Sequence, residues 1–260
     1  MQATNLFRLD GKVALVTGGA GILGRPISCA LAEAGATVIV ASRDRKKCRA
    51  LARWGESQSL RMEDETLDLS SAPSIRALRD RILKQHGRLD ILFNSAVARR
   101  GGDLDHATAE QWEATMKVNA TGLFLSCQIF SEPMRAQRCG SIVNIASIYG
   151  VVGPTFSIYK GTTVTNPVFY AFAKGGVIGL TRYLASFLAP YRVRVNCLSP
   201  GGVATADTPR KFRKQYARHT PLGRMADEDD IKGPALFLAS DASRYVTGQN
   251  LIVDGGWTAI

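Results

Sequence analysis

Residues 13–24 read VALVTGGAGILG, an apolar run rich in valine that breaks into four glycines, Gly18, Gly19, Gly21 and Gly24. The run has the length and composition of a buried strand, and the residues after it, 25–34, have the pattern of a helix. Glycines at such a junction permit a tight turn with positive φ and let the backbone approach a bulky anion. The amides that open the helix then favour a pyrophosphate. A glycine-rich turn alone is weak evidence, but its place after the first strand and before a helix strengthens it.

Further apolar runs follow the same scheme: TVIVAS (37–42), LDILFN (89–94), SIVNIA (141–146), VRVNCLS (193–199) and NLIVDG (250–255). Helical patterns lie between them at 72–86, 109–136 and 167–188. Strands alternating with helices predict an α/β fold over residues 1–260, a single domain whose parallel sheet carries helices on both faces. Such sheets bind ligands beyond the carboxyl ends of their strands, so the residues after each strand carry the functional reading. No internal repeat, low-complexity segment or linker interrupts the pattern.

The composition narrows the class. Hydrophobic residues make up 45% of 260, ordinary for a folded soluble chain, and no apolar run approaches the roughly 18–20 residues of a membrane span. The opening MQATNLFRLDGK lacks the apolar core of a signal peptide, so a cytoplasmic protein with no membrane partner is expected. Cys29, Cys48, Cys127, Cys139 and Cys197 are scattered without pairing, which predicts neither a disulfide framework nor a metal site. The net charge of +11 raises nucleic-acid binding. Its clusters, RDRKKCR (43–49), Arg99–Arg100 and RKFRKQYAR (210–218), accompany no nucleic-acid motif, and anionic small molecules explain the charge more simply.

Taken in order, these features resemble the short-chain dehydrogenase/reductase family from about Gly11 to the C-terminus. The resemblance implies a Rossmann-type doubly wound sheet and a nicotinamide cofactor. The turn here is TGxxGxxG, with Gly21 one place earlier than the commonest family spacing. That spacing is more usual in the family's extended branch, whose added C-terminal domain has no room in this chain. A short-chain enzyme with a variant turn follows, its Gly18, Gly21, Ile22, Leu23 and Gly24 taking the pyrophosphate. The second strand ends Ala41-Ser42-Arg43 with no carboxylate where an NAD enzyme places one; Arg43, with Ser42, suits a 2′-phosphate, so NADP is expected. Asp44 follows at once and leaves NAD possible. The resemblance further assigns Asp68 and Leu69 to the adenine, Asn94-Ser95-Ala96 to the adenosine half, and Pro200, Gly201, Val203 and Thr205 to the nicotinamide carboxamide. Ser95 and Val97 replace the second Asn and the Gly of the usual segment.

Hydride transfer at a carbonyl needs a proton donor. A phenol titrating near 10 is a poor base at neutral pH unless a neighbouring ammonium favours phenolate, so the acid/base tyrosine needs a lysine one helical turn away. Tyr149 has Val152 and Gly153 at those positions. Tyr159 is followed directly by Lys160, but adjacent residues do not share a helix face, and Gly161 with the Thr/Val run after it argues for a loop. Tyr170 and Lys174 are four apart, after Asn166-Pro167, which reads as an N-cap with proline at the first helical position. The resemblance places the catalytic serine at Ser147 and the supporting asparagine at Asn119, completing a tetrad of Tyr170, Lys174, Ser147 and Asn119. Ser147 and Tyr170 are 23 positions apart, about ten more than is usual in the family. The excess fits an insertion looped out between fixed anchors.

The expected reaction is reversible reduction of a ketone to a secondary alcohol. The hydroxyl-rich insertion 153–166 lies between Ser147 and Tyr170, and the resemblance places the basic segment 206–222 at the family's substrate loop; together they point to a polar or anionic substrate: a sugar, sugar acid or cyclitol. Gluconate reductases and sugar-modifying dehydrogenases are the members this arrangement resembles. Rival readings are a 3-oxoacyl-carrier-protein-type reductase, a sugar epimerase or dehydratase, and a non-catalytic NADP-binding regulator. The ending YVTGQNLIVDGGW resembles the family's oligomer-contact region, so a homodimer or homotetramer is expected.

Overall fold

A computed structural model describes residues 2–99 and 101–260; Met1 and Arg100, the second member of the Arg99–Arg100 pair, lie outside the described residues. Seven parallel strands run β1 (Val13–Thr17), β2 (Thr37–Ser42), β3 (Met62–Thr66), β4 (Ile91–Asn94), β5 (Gly140–Ile145), β6 (Val193–Pro200) and β7 (Asn250–Val253). Their order in the sheet is β3-β2-β1-β4-β5-β6-β7. The order reverses between β1 and β4, and ligand crevices of doubly wound sheets open at such a switch point.

Period-two alternation divides the core. Val13 and Leu15 of β1 pack on one face with α3 (Ala72–His86), α5 (Leu123–Gln137) and α6 (Val168–Leu188). Ala14 and Val16 pack on the other with α1 (Gly24–Glu33), α2 (Arg45–Ser57) and α8 (Asp229–Ala239). Because both faces are covered, all five residues of β1 are buried, which is why the run reads as continuously apolar.

Strand β3, MEDET, escapes a reading based on apolar runs. It is an edge strand, and its acidic side chains meet basic side chains of neighbouring helices: Asp64 lies 2.7 Å from Arg45, Glu65 2.9 Å from Arg81, and Glu63 3.1 Å from the His86 ring. Helices α2, α7 (Arg210–Ala217) and α8 likewise lie where basic or mixed sequence hides an apolar stripe. The segment 109–136 is not one regular helix. Between α4 (Ala109–Met116) and α5, residues Lys117–Gly122 form a π-helical turn that carries Asn119 inward.

At α6 the cap differs from the sequence expectation. Pro167, with φ −64° and ψ 143°, is itself the N-cap, no side chain caps the helix, and the first helical residue is Val168. Proline's fixed φ suits the extended cap geometry, so Asn166 is not used; Tyr170 remains in the first turn. A third apolar cluster, Ile148, Tyr149, Ile158, Phe212, Tyr216, Met225 and Trp257, joins the segment after β5 to the insertion and to α7.

Candidate active site

Two cavities open beyond the strand ends. The first, about 440 Å³, is lined by Gly18, Gly21, Ile22 and Leu23 of the turn, Ser42 and Arg43 after β2, Asp68 and Leu69 after β3, and Ser95 and Ala96 after β4. Gly18 adopts φ +64°, and a Cβ there would stand 2.8 Å from Ala96 Cα. At Gly24 a Cβ would lie 2.0 Å from the Gly18 carbonyl oxygen, so glycine alone allows α1 to start against the turn. Gly24 therefore shapes the turn without lining the cavity. Thr17 fastens the opposite wall, its hydroxyl accepting from the amides of Ser95 (3.2 Å) and Ala96 (3.3 Å).

The end of this cavity beyond β2 is lined by Arg43, Asp44 and Lys47, a net positive group in which Lys47 Nζ lies 3.8 Å from the Asp44 carboxylate; Lys47 is not among the residues that the sequence singles out. Its signal was present: Lys47 stands one helical turn beyond Arg43 in the basic run. Asp44 is engaged as the N-cap of α2, accepting from the Lys47 amide at 3.2 Å. Asp68 accepts from the Ser70 hydroxyl (2.7 Å) and amide (2.9 Å); these bonds, with the Arg43 charge adding to them, hold its carboxyl below the usual range. A glycine cradle at a helix N-terminus, two cations and an acceptor at Asp68 fit a dinucleotide with an added phosphate.

The second cavity, about 350 Å³, shares Ile22, Leu23 and Arg99 with the first. Ser147, Tyr170, Pro200, Gly201, Val203 and Thr205 line it, together with Tyr149, Tyr159, Phe212 and Tyr216. The backbone after β5 is fixed by a short turn, Ile148–Gly150, in which Ser147 Oγ accepts from the Tyr149 amide at 3.2 Å. A Cβ on Gly150 would stand 2.6 Å from the Lys174 carbonyl carbon, so this glycine lets the turn seat against α6.

Lys174 lies behind Tyr170 and is buried; its Nζ donates to the Ile145 carbonyl at 2.6 Å and stands 5.7 Å from the Tyr170 ring centroid. Burial, reinforced by the charge of Arg99, lowers its pKa from the ordinary lysine range to about 7. Arg99 also lies over the Tyr170 ring, 5.9 Å from its centroid. Asn119 Oδ1 accepts from the Ala98 amide (2.8 Å) and its Nδ2 donates to the Ala98 carbonyl (2.9 Å). With Lys174 and Asn94 it borders a pocket of about 20 Å³, room for about one water.

Asn94 does not reach the large cavities. It donates to Asn144 Oδ1 (2.9 Å), accepts from Ser126 Oγ (2.7 Å), and ties β4 to β5 and α5. The segment 206–222 is not an open basic loop: α7 buries Phe212 and Tyr216 while Arg210, Lys211, Arg213, Lys214 and Arg218 face outward. Among the described residues, no group of His, Cys, Asp or Glu is placed to hold a metal ion, and no helix is long and apolar enough to cross a membrane.

The arrangement defines a nucleotide-binding α/β oxidoreductase, and comparison with known proteins agrees. A family profile described as Enoyl-(Acyl carrier protein) reductase matches residues 18–258. A 3-oxoacyl-acyl carrier protein reductase of Thermotoga maritima is 36% identical over 252 residues, 96% of this chain and 98% of that protein. D-threitol dehydrogenase of Mycolicibacterium smegmatis is 35% identical over 258 residues, 97% and 95% of the two chains. The crystal structure of a gluconate 5-dehydrogenase from Burkholderia cenocepacia, in complex with NADP and tartrate, superposes with a TM-score of 0.88 at 33% identity, covering 100% of both chains. The chain belongs to the short-chain dehydrogenase/reductase family. It is an NAD(P)-dependent oxidoreductase of the alcohol–ketone type.

Proposed function

We propose that the protein, acting as one unit over its whole length, uses NADP(H) to interconvert a secondary alcohol and a ketone on a small polar or anionic substrate. The observation that carries this reading is that the two cavities share Ile22, Leu23 and Arg99 as a common wall, so a ligand seated on the glycine turn and extending past Ile22 and Leu23 would end beside Ser147 and Tyr170. Arg43 and Lys47, with Asp44 diverted to capping α2, favour the 2′-phosphate over a bare ribose hydroxyl.

When bound, the reduced nicotinamide supplies hydride to the carbonyl carbon. Ser147 Oγ donates to the carbonyl oxygen and holds it, and the Tyr170 hydroxyl delivers a proton as that oxygen gains charge. Lys174, pinned to Ile145, places positive charge behind the Tyr170 ring. Asn119, locked to Ala98, borders the water-sized pocket through which the Lys174 amine, once deprotonated, can recover a proton. In the oxidative direction the same groups act in reverse.

Threitol and gluconate dehydrogenases among the relatives, with tartrate in one solved complex, support a hydroxylated or acidic substrate. Arg99 at the shared wall supplies a cation for it. A second reading, reduction of a 3-oxoacyl thioester, is favoured by the apolar wall of Phe212, Tyr216 and Met225 and by the Thermotoga relative. Exposed aromatics on α5 and α6 (Phe124, Phe172, and Tyr183 stacked on Phe187), together with fully exposed Tyr245, support a homodimer or homotetramer.

The test is Tyr170→Phe, assayed against a panel of hydroxyketones, keto acids and an acetoacetyl thioester. Turnover falls by more than about 1,000-fold on every accepted substrate while NADPH binding, followed by fluorescence, persists. A fully active variant removes Tyr170 from the mechanism. A wild-type enzyme active on the thioester alone transfers the assignment to the second reading.

A further inference from the structure

Four phenols, those of Tyr149, Tyr159, Tyr170 and Tyr216, line the second cavity. Their hydrogen bonds separate them. The Tyr216 hydroxyl accepts from the Gly202 amide at 2.5 Å, which ties it to the segment after β6. Tyr159, carried by the insertion, donates its proton to the Tyr149 hydroxyl oxygen at 3.0 Å. Tyr149 therefore accepts, and among the described residues its own proton meets no acceptor although the side chain is only 9% exposed. Tyr149 stands in the wall of the substrate cavity, where that proton is available to a ligand oxygen.

Both residues are held firmly. Tyr149 belongs to the turn whose amide binds Ser147 Oγ and whose Gly150 seats on α6, so its position is fixed relative to the reacting centre. Tyr159 packs on Phe212 of α7, with ring centroids 5.5 Å apart. Its neighbour Ile158 is 1% exposed, and Gln215 of α7 donates to the Lys160 carbonyl at 3.2 Å. The insertion is thus docked on α7 and presents one hydroxyl to one target. Burial raises the pKa of both phenols, which keeps them neutral and Tyr149 a donor.

We propose that Tyr149 is a specificity-determining hydrogen-bond donor to a second substrate oxygen, the hydroxyl of an α-hydroxy ketone or the carboxylate of a 2-oxo acid, and that Tyr159 is the positioning residue that orients it. This rests on the ketone-reductase reading above and names its substrate class: α-hydroxy ketones and 2-oxo acids, with the inserted segment supplying the means of selection.

The experiment compares matched ketones, acetoin with butanone and 2-hydroxycyclohexanone with cyclohexanone, and pyruvate for a carboxylate, using NADPH and the full-length enzyme. In the wild type, kcat/KM is about 10- to 100-fold higher for at least one oxygenated ketone over the plain one. Tyr149→Phe erases that preference by lowering kcat/KM on the oxygenated ketone far more than on the plain one, and Tyr159→Phe reduces it part of the way. A purely structural role would lower both members of a pair together. Equal rates on oxygenated and plain ketones, or a preference that survives Tyr149→Phe, overturn the inference and leave the ketone-reductase reading intact. Failure to reduce any ketone overturns that reading, and this inference with it.

Discussion

The two cavities are built differently. The walls of the dinucleotide cavity come from strand ends and from the backbone of the glycine turn, with Gly18 and Gly24 leaving room that any Cβ would fill. The substrate cavity is walled by side chains, many of them brought by the insertion and by α7. A backbone-built site has little freedom to vary, because it depends on where chain can approach chain. A side-chain-built site can change its ligand by exchanging residues on two docked segments, and that freedom lets one family fold serve many substrates.

The sharpest way to break this contrast is to add one methyl group on each side. Gly24→Ala forces a Cβ into the Gly18 carbonyl, so NADPH affinity should fall more than about 100-fold, with a loss of roughly 1–3 kcal/mol in stability by thermal unfolding. Gly153→Ala, in the insertion, meets no atom within 4 Å and should leave both within measurement error. Comparable effects of the two would contradict the distinction. Of middle size is the cofactor effect: Arg43→Ser removes a guanidinium from the cationic end and should weaken NADPH about 10- to 100-fold by fluorescence titration while NADH binding changes little. Lys47→Met should do the same more weakly. Equal loss for both cofactors would show that neither residue addresses the phosphate.

The smallest effect concerns Arg99, which borders both cavities. Its positive charge disfavours the Lys174 ammonium, so removing it must raise the Lys174 pKa above its value of about 7. In lysine-labelled, cofactor-free protein, NMR titration of Lys174 should show a midpoint near 7 that moves to higher pH in Arg99→Met. Because burial is the larger cause, most of the depression should remain. An unchanged midpoint, or one that falls, would separate Arg99 from Lys174.

What could be read from the sequence follows the same division. Glycine at 18, 21 and 24, Arg43 after β2, and Tyr170 with Lys174 are local signals, each tied to a turn, a strand end or one helical turn. Strand β3 was not legible because MEDET is polar and owes its place to Arg45, Arg81 and His86, which lie at a distance in sequence. Asn94 has the same residue type that a ligand contact would need, but its partners Asn144 and Ser126 arrive only with the fold. The Tyr159–Tyr149 bond joins an insertion to a turn ten positions away, through a loop whose path depends on α7. No pattern along the chain encodes that.

Of the three tyrosines that compete for the catalytic role, Tyr170 on α6 is proposed to move the proton, while Tyr159 in the insertion positions Tyr149 for selection. Measuring NADPH oxidation by Tyr170→Phe and Tyr159→Phe side by side, on the best oxygenated ketone, tests it directly. The expected result is a loss of more than about 1,000-fold for Tyr170→Phe and no more than about 10-fold for Tyr159→Phe, with NADPH affinity unchanged in both. Near-complete loss in Tyr159→Phe with activity retained in Tyr170→Phe would contradict it.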